Sequence, residues 1–426
     1  MKRRCLTLII VICLVSAVVA GCVGNSAPDT SPGYKFGTDC QYYNAISVSP
    51  YFLAESEDSL FYLDIFSYLH VIDKKEAIDT VFCDKPDCLH GDDDSHQTME
   101  ERAHCKAYMG GASNQSICYY DGALYSICSE SKYQEPHVTR TLRRYSLDGT
   151  GQKDIWELEW GKNLDSNVTD FVIHRGKVYF LNIFIDTVEK DPETGMGLDR
   201  GQFICSYDLK SKKMKRLYQF DDDIFPYANY NLHIIGDNLY VQGNRAKEAD
   251  SLVVRYNISS GEVTELDYCK QMFLVGDCFV SYFAKQIKEV DGEKSRFDHW
   301  LTTSPLGEVN TQEQKAIQVD ENPEYIKQFQ AYGNFLFAMD GMFDDYSSEI
   351  RVYDFTKGEK ITTLPLPEFD YGGTRVICCT MDGRLFLYNT IAEVEDIRDN
   401  VSQFFCCNIS DIGTDNFQWQ EVEKVN

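Results

Sequence analysis

Short apolar strands separated by tight polar turns repeat along most of the chain. Each repeat has an apolar strand, a turn built from Asp, Gly or Asn, and an alternating strand that contains Tyr or Phe. Two-residue turns of this composition supply the positive φ angles that a β-hairpin requires. The pattern occurs seven times, at Asp58–Tyr62, Asp121–Tyr125, Arg175–Tyr179, Gly236–Tyr240, Gly276–Phe279, Tyr332–Phe335 and Asp382–Phe386.

A second pattern follows most of these hairpins and completes each unit. It is a strand that ends in an aromatic residue and a turn, and a short fourth strand comes after it. It is seen at Arg144–Gly149, Ser206–Leu209, Arg255–Ile258 and Val352–Phe355. Four strands per unit, without long amphipathic helices or βαβ spacing, predict an all-β chain folded as a β-propeller with seven four-stranded blades. Because the units differ in length, six or eight blades are the alternatives.

The combined order of elements resembles a known group of propellers. A strand, an Asp-Gly turn, a Leu-Tyr strand and then Tyr-x-Leu-Asp-Gly is similar to the TolB-like and low-density-lipoprotein-receptor-like propellers, and it extends from about Tyr42 to Val422. The resemblance implies the propeller architecture. It implies no reaction.

The first residues have a different pattern from the repeats. Lys2–Arg4 is basic, and Cys5–Ala20 is an almost unbroken apolar run, shorter than the roughly 20 residues that cross a membrane. Val19–Cys22 is typical of the lipobox of bacterial lipoprotein signals, in which small residues precede a cysteine that carries the lipid. An ordinary secretory signal peptide with a chance cysteine is the alternative.

These patterns divide the chain into three parts. We predict a signal peptide, a lipidated and flexible N-terminal segment that begins at Cys22, and a propeller, with boundaries at 1–21, 22–40 and 41–426. The tether is inferred from its Gly, Asn, Ser, Pro and Thr content. The expected location is therefore extracytoplasmic, with a lipid anchor in the bacterial cell membrane.

Charge restricts the classes of partner. The chain has 67 Asp and Glu against 41 Lys and Arg, which gives a formal net charge of −26. Such a surface repels phosphates, so a nucleic-acid partner is disfavoured. Apolar residues at 43% exclude a disordered chain. We expect a monomer whose partners are the membrane, through the lipid, and a glycan or protein of the envelope or the extracellular space.

Catalytic motifs are not found in the sequence. It contains no Gly-x-Ser-x-Gly, no His-Glu-x-x-His and no Gly-rich phosphate loop. Long, mostly acidic connections are predicted between the second and third strands of several blades, at Asp186–Asp199, Glu289–Asp298, Asp340–Glu349 and Glu393–Asp399. They would lie on one face with the connections between blades, and loops on a rigid face often bind ligands.

We therefore favour a surface-anchored binding or scaffold protein that uses this long-loop face. The alternative hypothesis is an enzyme, a glycan- or peptide-processing hydrolase with its site at the central channel.

One local motif has metal-ligand character. Cys83 and Cys88 are followed by His90 and then by Cys105, in an insertion at about 83–116 between the first two predicted blades. Three thiols and an imidazole suit the tetrahedral coordination of zinc, so these four residues are candidate ligands of a structural zinc ion.

Other readings of the insertion stay open. His96 or His104 could replace His90 as a ligand. A disulfide between Cys83 and Cys88, or between Cys88 and Cys105, is an alternative in an oxidising compartment, with Cys40 as a further partner. The remaining alternative is that the cysteines are unmodified thiols.

Four cysteines fall in the last predicted blade, at Cys378, Cys379, Cys406 and Cys407. If Asp382–Gly383 is a two-residue turn, Cys379 lies opposite Phe386, with Cys406 one strand further on. Strands about 4.8 Å apart would separate two such cysteines by roughly 9.6 Å, beyond the reach of a disulfide. We predict that they are small buried apolar residues.

Overall fold

The computed structural model describes most of the chain beyond its N-terminal part. It describes residues 53–425 apart from 65–67, 84, 86–87, 89–101, 103, 110–116, 132–137, 148–150, 158–163, 191, 193–196, 222–223, 227–231, 236, 246–250, 267–270, 276–277, 288–295, 306–316, 319–326, 341–348, 355–356, 370–372 and 392–402. The predicted signal peptide, Cys22 and the tether over 22–40 lie outside the described residues and stay predictions.

The described strands form seven sheets, and the first three follow the chain in order. Sheet 1 contains β1 (Leu53–Glu55), β2 (Ser59–Leu63), β3 (Leu69–Asp73) and β4 (Ile78–Val81). Sheet 2 contains β5 (Ile117–Tyr120), β6 (Ala123–Ser131), β7 (Val138–Ser146) and β8 (Gln152–Glu157). Sheet 3 contains β9 (Leu164–His174), β10 (Lys177–Lys190), β11 (Gly197–Asp208) and β12 (Lys213–Gln219).

The other four sheets continue the same order. Sheet 4 contains β13 (Ile224–Pro226), β14 (Leu232–Ile235), β15 (Asn238–Arg245), β16 (Ser251–Asn257) and β17 (Val263–Leu266), with β13 and β14 both paired to β15. Sheet 5 contains β18 (Gln271–Val275), β19 (Cys278–Ile287), β20 (Arg296–Pro305) and β21 (Ile317–Gln318). Sheet 6 contains β22 (Lys327–Tyr332), β23 (Phe335–Asp340), β24 (Glu349–Asp354) and β25 (Glu359–Pro365). Sheet 7 contains β26 (Gly373–Cys379), β27 (Arg384–Ile391), β28 (Gln403–Asn408), a 3₁₀ helix (Ile409–Asp411) and β29 (Gln420–Glu421), and β30 (Glu423–Val425) follows it.

This order of sheets is a β-propeller, so the prediction of an all-β propeller is confirmed. Each sheet contains one of the seven hairpins identified in the sequence. Apolar cores lie between sheets 1 and 2, 2 and 3, 3 and 4, 6 and 7, and 7 and 1. Within the described part of the chain, no helix is long and apolar enough to cross a membrane.

Two of the hairpin turns have the backbone that the sequence predicted. In sheets 2 and 3 both turn residues have positive φ, at Asp121 (46°) and Gly122 (71°) and at Arg175 (48°) and Gly176 (75°). This is the turn geometry that matches the twist of the flanking strands.

The turn between the third and fourth strands is also repeated, in four sheets. The side chain of an Asp or Asn accepts hydrogen bonds from backbone amides two or three residues ahead. The residue four positions ahead has positive φ, and its backbone amide donates to the carbonyl oxygen of that Asp or Asn. The four turns are Asp73–Ala77, Asp208–Lys212, Asn257–Gly261 and Asp354–Gly358. Glycine occupies the last position in only two of them, so Ala77 and Lys212 adopt φ near 55° at a cost.

The core lies between neighbouring sheets rather than in one central mass. Phe180 and Leu142 are fully buried where sheets 2 and 3 meet, and Trp156 stacks on Tyr207 there with ring centroids 4.1 Å apart. We call this interface the aromatic seam. Each sheet therefore buries its apolar side chains only against its neighbours, as propeller blades do.

The ring is closed by the C-terminal strand. β30 pairs in parallel with β4, with Lys424 opposite Asp79, so sheet 1 gains a fifth strand from the far end of the chain. We call the interface between sheets 7 and 1 the closing seam. Its apolar part includes Leu60 and Ile72 from sheet 1 and Phe386 from sheet 7.

An ionic contact closes the same seam near the hairpin turn of sheet 7. Lys74 donates to Glu55 Oε1 at 2.8 Å, and its Nζ lies 3.9 Å from Asp382 Oδ1. The backbone amide of Met381 also donates to Glu55 Oε1. Lys74 and Glu55 are 2% and 1% exposed, and burial raises the pKa of Glu55 although Lys74 lowers it.

Two sequence expectations need correction. The long loop predicted at Asp186–Asp199 is largely strand, because β10 and β11 extend until Lys190 pairs with Gly197. Cys379 lies opposite Leu385, not Phe386, because the sheet 7 turn has three residues and Thr380 N donates to Arg384 O.

The prediction for the four cysteines of sheet 7 is otherwise confirmed. All four are buried, and Cys378 and Cys406 both lie opposite Phe386 on its two sides. None of the ten cysteines whose side chains are described forms a disulfide.

Candidate metal site

The insertion between sheets 1 and 2 is attached to the start of β3. Phe82 N donates to Leu69 O at 2.7 Å, and Leu69 N donates to Ala107 O at 2.9 Å. Tyr68 and Tyr108 form an isolated antiparallel bridge. The described ends of the insertion therefore lie where the connection between β2 and β3 also emerges, which is the predicted long-loop face.

Three cysteines of the insertion come together at this point. The Sγ atoms of Cys83, Cys88 and Cys105 all lie within 4.8 Å of one another, and we call them the thiol trio. Zinc–sulfur bonds of about 2.3 Å in a tetrahedral site place sulfurs roughly 3.8 Å apart, so small shifts would suffice to hold an ion. Among the described His, Cys, Asp and Glu side chains, no other group of three meets this geometry.

Backbone amides point at two of the three sulfurs. The amides of Lys85 and Lys106 hydrogen-bond to Cys83, and the amide of Ala107 hydrogen-bonds to Cys105. Such bonds stabilise negative charge on sulfur, as hydrogen bonds from the surroundings of metal ligands do.

The thiol trio does not ionise evenly. Burial raises the pKa of Cys83, but the amides of Lys85 and Lys106 and the neighbouring thiols outweigh it, so the net shift is downward. For Cys105 burial dominates and raises the pKa, with Cys88 and Cys83 adding to the increase. Cys83 therefore loses its proton more readily than Cys105. If all three thiols lost their protons to bind a metal ion, the charge of the ion would offset the repulsion among the three thiolates.

The thiol trio is buried at Cys105 and partly accessible at Cys83 and Cys88. Cys105 is buried together with Ala107 and Met109 in the core between sheets 1 and 2, whereas Cys83 and Cys88 are half-buried. The trio thus joins half-buried residues of the insertion to the propeller core.

The other candidate ligands are not part of this geometry. His90, the predicted fourth ligand, lies outside the described residues, as do His96 and Cys40. His104 is described and exposed, and its carbonyl oxygen accepts a hydrogen bond from Lys85 Nζ at 2.5 Å. The structure therefore brings together three of the four predicted ligands.

A second ionisable cluster was missed by the sequence analysis. His70 on β3 is 2% exposed, with Nδ1 3.1 Å from Asp79 Oδ1 and Nε2 3.4 Å from Asp64 Oδ2. Tyr62 donates from Oη to Asp79 Oδ2 at 2.5 Å, and its ring stacks on the imidazole with centroids 4.8 Å apart. We call these four residues the His70 cluster. The one sequence indication was a histidine inside an apolar strand, which by itself points to no partner.

Comparison with known proteins finds structural neighbours but no related sequence. No protein-family model matches the sequence, and no curated protein matches it either. Among solved structures, a chain from a structural and mechanistic analysis of two prolyl endopeptidases has 13% identity and a TM-score of 0.49, over 95% of this chain and 53% of that one. This chain therefore spans about half the length of that one.

Two smaller proteins are matched over most of their length. An oligogalacturonate lyase in complex with manganese has 11% identity and a TM-score of 0.47, over 82% of this chain and 85% of that one. The β-propeller domain of the trilobed protease from Pyrococcus furiosus has 12% identity and a TM-score of 0.40, over 72% and 86%. These neighbours are propeller proteins, and with TM-scores below 0.5 the likeness carries no argument about this chain.

Proposed function

We propose that the chain is a lipid-anchored, extracytoplasmic binding or scaffold protein that engages its ligand with the long-loop face. The observation that carries this proposal is the thiol trio, which fixes an otherwise polar insertion to the rigid propeller on that face. An ordered insertion on a rigid scaffold can recognise a ligand without losing much conformational entropy on binding.

We further propose that the insertion is ordered by a structural zinc ion held by Cys83, Cys88 and Cys105, with His90 as the fourth ligand. The close approach of the three sulfurs and the amides directed at Cys83 and Cys105 support this. Closure around a metal would order a segment that has little apolar core of its own.

Charge and the N-terminal motif support the remaining parts of the proposal. A formal net charge of −26 favours neutral or basic partners, such as an envelope or extracellular glycan or a protein, over nucleic acid. The lipobox at Val19–Cys22 supports attachment to the membrane through lipid on Cys22, and the resemblance to TolB-like propellers is consistent with an exported protein.

The zinc proposal is tested by the metal content of the full chain, purified in detergent. We expect about one equivalent of zinc by elemental analysis, and its loss in Cys88→Ser. Cys205→Ser is the matched control, because Cys205 is buried in β11 within the aromatic seam and should not affect metal content. Wild-type protein without metal, with its insertion cysteines alkylated only after reduction, would contradict the proposal and favour a disulfide.

The binding proposal is tested by ligand capture on the same preparations. Wild-type protein is incubated with cell-wall glycans, host glycans and envelope extract, and retained material is identified by mass spectrometry. We expect retention by wild type and Cys205→Ser and reduced retention by Cys88→Ser. If no material is retained by any of them, the binding function is wrong.

The hydrolase at the central channel is the alternative, and it would require shifted carboxylates or histidines there. Among the described residues, Glu55 is a carboxylate with a raised pKa and His70 is a histidine with a raised pKa. Both are buried and paired with side chains of sheet 1, Glu55 with Lys74 and His70 with Asp64 and Asp79. That arrangement is typical of a structural ion pair, so we favour the binding function.

A further inference from the structure

The His70 cluster holds together the part of sheet 1 that forms the closing seam. Tyr62 comes from β2, His70 from β3 and Asp79 from β4, and Asp64 directly follows β2. Asp64 also accepts a hydrogen bond from the amide of Tyr68 at 2.7 Å, which fixes its position at the loop end. Three of the four strands of sheet 1 are therefore linked through one imidazole ring.

The same cluster contacts sheet 7 through Tyr62. The Tyr62 ring lies 4.6 Å from Phe404 and 5.9 Å from Tyr388, measured between centroids. Asp79 lies on β4, the strand that receives β30. A change at His70 thus acts on both contacts that close the ring, the side-chain packing and the added strand.

The two ring nitrogens of His70 can both donate hydrogen bonds to the carboxylates in only one protonation state. A neutral imidazole has one N–H, whereas the imidazolium has two, and each nitrogen here faces a carboxylate. Only the protonated ring donates to Asp64 and Asp79 together. Its positive charge also offsets two carboxylates that are otherwise crowded in a buried space.

We propose that the His70 cluster makes the closing seam a pH-sensitive latch, closed while His70 carries its proton and loosened when the proton is lost. The site of loosening is the Asp64 side. When His70 loses its proton, Asp79 still accepts a hydrogen bond from the Tyr62 hydroxyl. Asp64 is 15% exposed and would accept a hydrogen bond from water in place of the imidazole.

The direction of the pH dependence follows from the pKa of His70. Burial lowers the pKa of His70, but hydrogen bonds to Asp64 and Asp79 and the charges of both carboxylates outweigh burial, so the pKa lies above the ordinary 6.5. A group whose pKa is raised by folding stabilises the fold fully below its unfolded pKa and loses that contribution as pH rises through the folded value. The latch is therefore closed in mild acid and opens toward alkaline pH.

Other ionisable groups around the cluster do not provide this switch. Burial and the charge of Asp79 raise the pKa of Tyr62 well above 10, so its hydroxyl keeps its proton. Burial also raises the pKa of Cys406 on β28. The further groups on adjacent elements are Tyr388 on β27, Lys74 after β3, and Lys424 on β30, which lies opposite Asp79 and is exposed.

The test is hydrogen–deuterium exchange of the full chain in detergent from pH 6 to pH 9, corrected for the intrinsic exchange rate. We expect protection of β4, β30 and β28 to fall at least about tenfold relative to β10 and β11 of the aromatic seam. Selective carbon-13 labelling of histidine then shows whether the fall coincides with titration of one buried imidazole.

Three variants make the result specific. His70→Gln cannot take up a proton, so its seam should be less protected at pH 6 and should not respond to pH. If it does not fold, Asp64→Asn removes one carboxylate and should move the loss of protection to lower pH. Asp154→Asn, which removes the carboxylate paired with Arg143 in sheet 2, should leave the wild-type profile. Equal seam protection at pH 6 and pH 9 in wild type, or an unchanged profile in His70→Gln or Asp64→Asn, overturns the proposal whether or not the chain binds a ligand.

Discussion

The closing seam and the aromatic seam perform the same task in the ring with different chemistry. In the aromatic seam, sheets 2 and 3 meet through residues such as Leu142, Phe180 and the Trp156–Tyr207 stack. The closing seam also has an apolar core, but it adds the Lys74–Glu55 pair and the His70 cluster.

The difference follows from how the two seams are specified. Sheets 2 and 3 are consecutive in the chain, so a short connection brings them together and nonspecific apolar packing is sufficient. Sheets 7 and 1 come from opposite ends of the chain, and nothing covalent selects them as neighbours. The Lys74–Glu55 pair lies within sheet 1, but Glu55 also accepts a hydrogen bond from Met381 N of sheet 7 and Lys74 lies near Asp382. We infer that these polar contacts help to select sheet 7 as the neighbour of sheet 1, at some cost in desolvation.

The largest expected effect is the loss of the buried ion pair in the closing seam. Lys74→Met should lower the free energy of unfolding by about 3–5 kcal/mol, because Glu55 is left buried without its cation. The loss should be greater at high pH, since Glu55 can take up a proton at low pH. Urea unfolding at two pH values, monitored by circular dichroism, measures the loss and its pH dependence.

Lys357→Met is the matched control for that prediction. Lys357 pairs with Asp354 at the surface and is itself well exposed. Its removal should give no measurable change, so equal effects of the two substitutions would show that burial of the pair in the closing seam is unimportant.

The second expected effect concerns one hydroxyl in each seam. Tyr62→Phe removes a hydrogen bond to the buried Asp79 carboxylate and should cost about 1.5–3 kcal/mol. Tyr207→Phe keeps the ring stacked on Trp156 and should change stability by less than about 0.5 kcal/mol. Thermal unfolding of both variants at one pH gives the comparison, and similar losses would contradict it.

A smaller effect is expected from the C-terminal strand. Removing residues 423–426 abolishes the pairing of β30 with β4 while keeping buried Val422, and it should cost about 1–2 kcal/mol. Replacing Glu423 and Lys424 by Ser keeps the backbone pairing and should have little effect. Urea midpoints that fall equally for both changes would show that side chains, not pairing, hold the strand.

The smallest effect compares the same turn in two environments. Lys212 is exposed with φ of 56°, so Lys212→Gly should stabilise the chain by about 0.5 kcal/mol. Ala77 has φ of 55°, but its methyl group is buried in the closing seam, so Ala77→Gly should give no gain. Differential scanning calorimetry resolves the two, and a clear gain in Ala77→Gly would contradict the assigned role of its methyl group.

The local parts of this fold could be predicted from sequence because turn chemistry determines them. Asp121–Gly122 and Arg175–Gly176 required hairpins, and the structure has them with positive φ. Cys83, Cys88 and Cys105 likewise indicated a group of sulfurs in one insertion, although the sequence left zinc, a disulfide and unmodified thiols as alternatives.

The features that the sequence did not predict depend mostly on contacts between distant segments. Tyr62, His70 and Asp79 meet only because three strands align in register, and no linear motif records that. The three-residue turn of sheet 7 moved Cys379 by one position, and β30 is too short and charged to be recognised as a strand. Ala77 and Lys212 occupy positive-φ positions that usually indicate Gly.

The parallel pairing of β30 with β4 sets an order of events during synthesis. Residues 78–81 are synthesised early, and residues 423–425 leave the ribosome on the order of tens of seconds later at ordinary rates of translation. Throughout that interval β4 is an unprotected edge that could pair with another chain. Asp79 and Thr80 on this edge make such pairing less favourable, so nascent chains are guarded against aggregation by the same aspartate that later anchors His70.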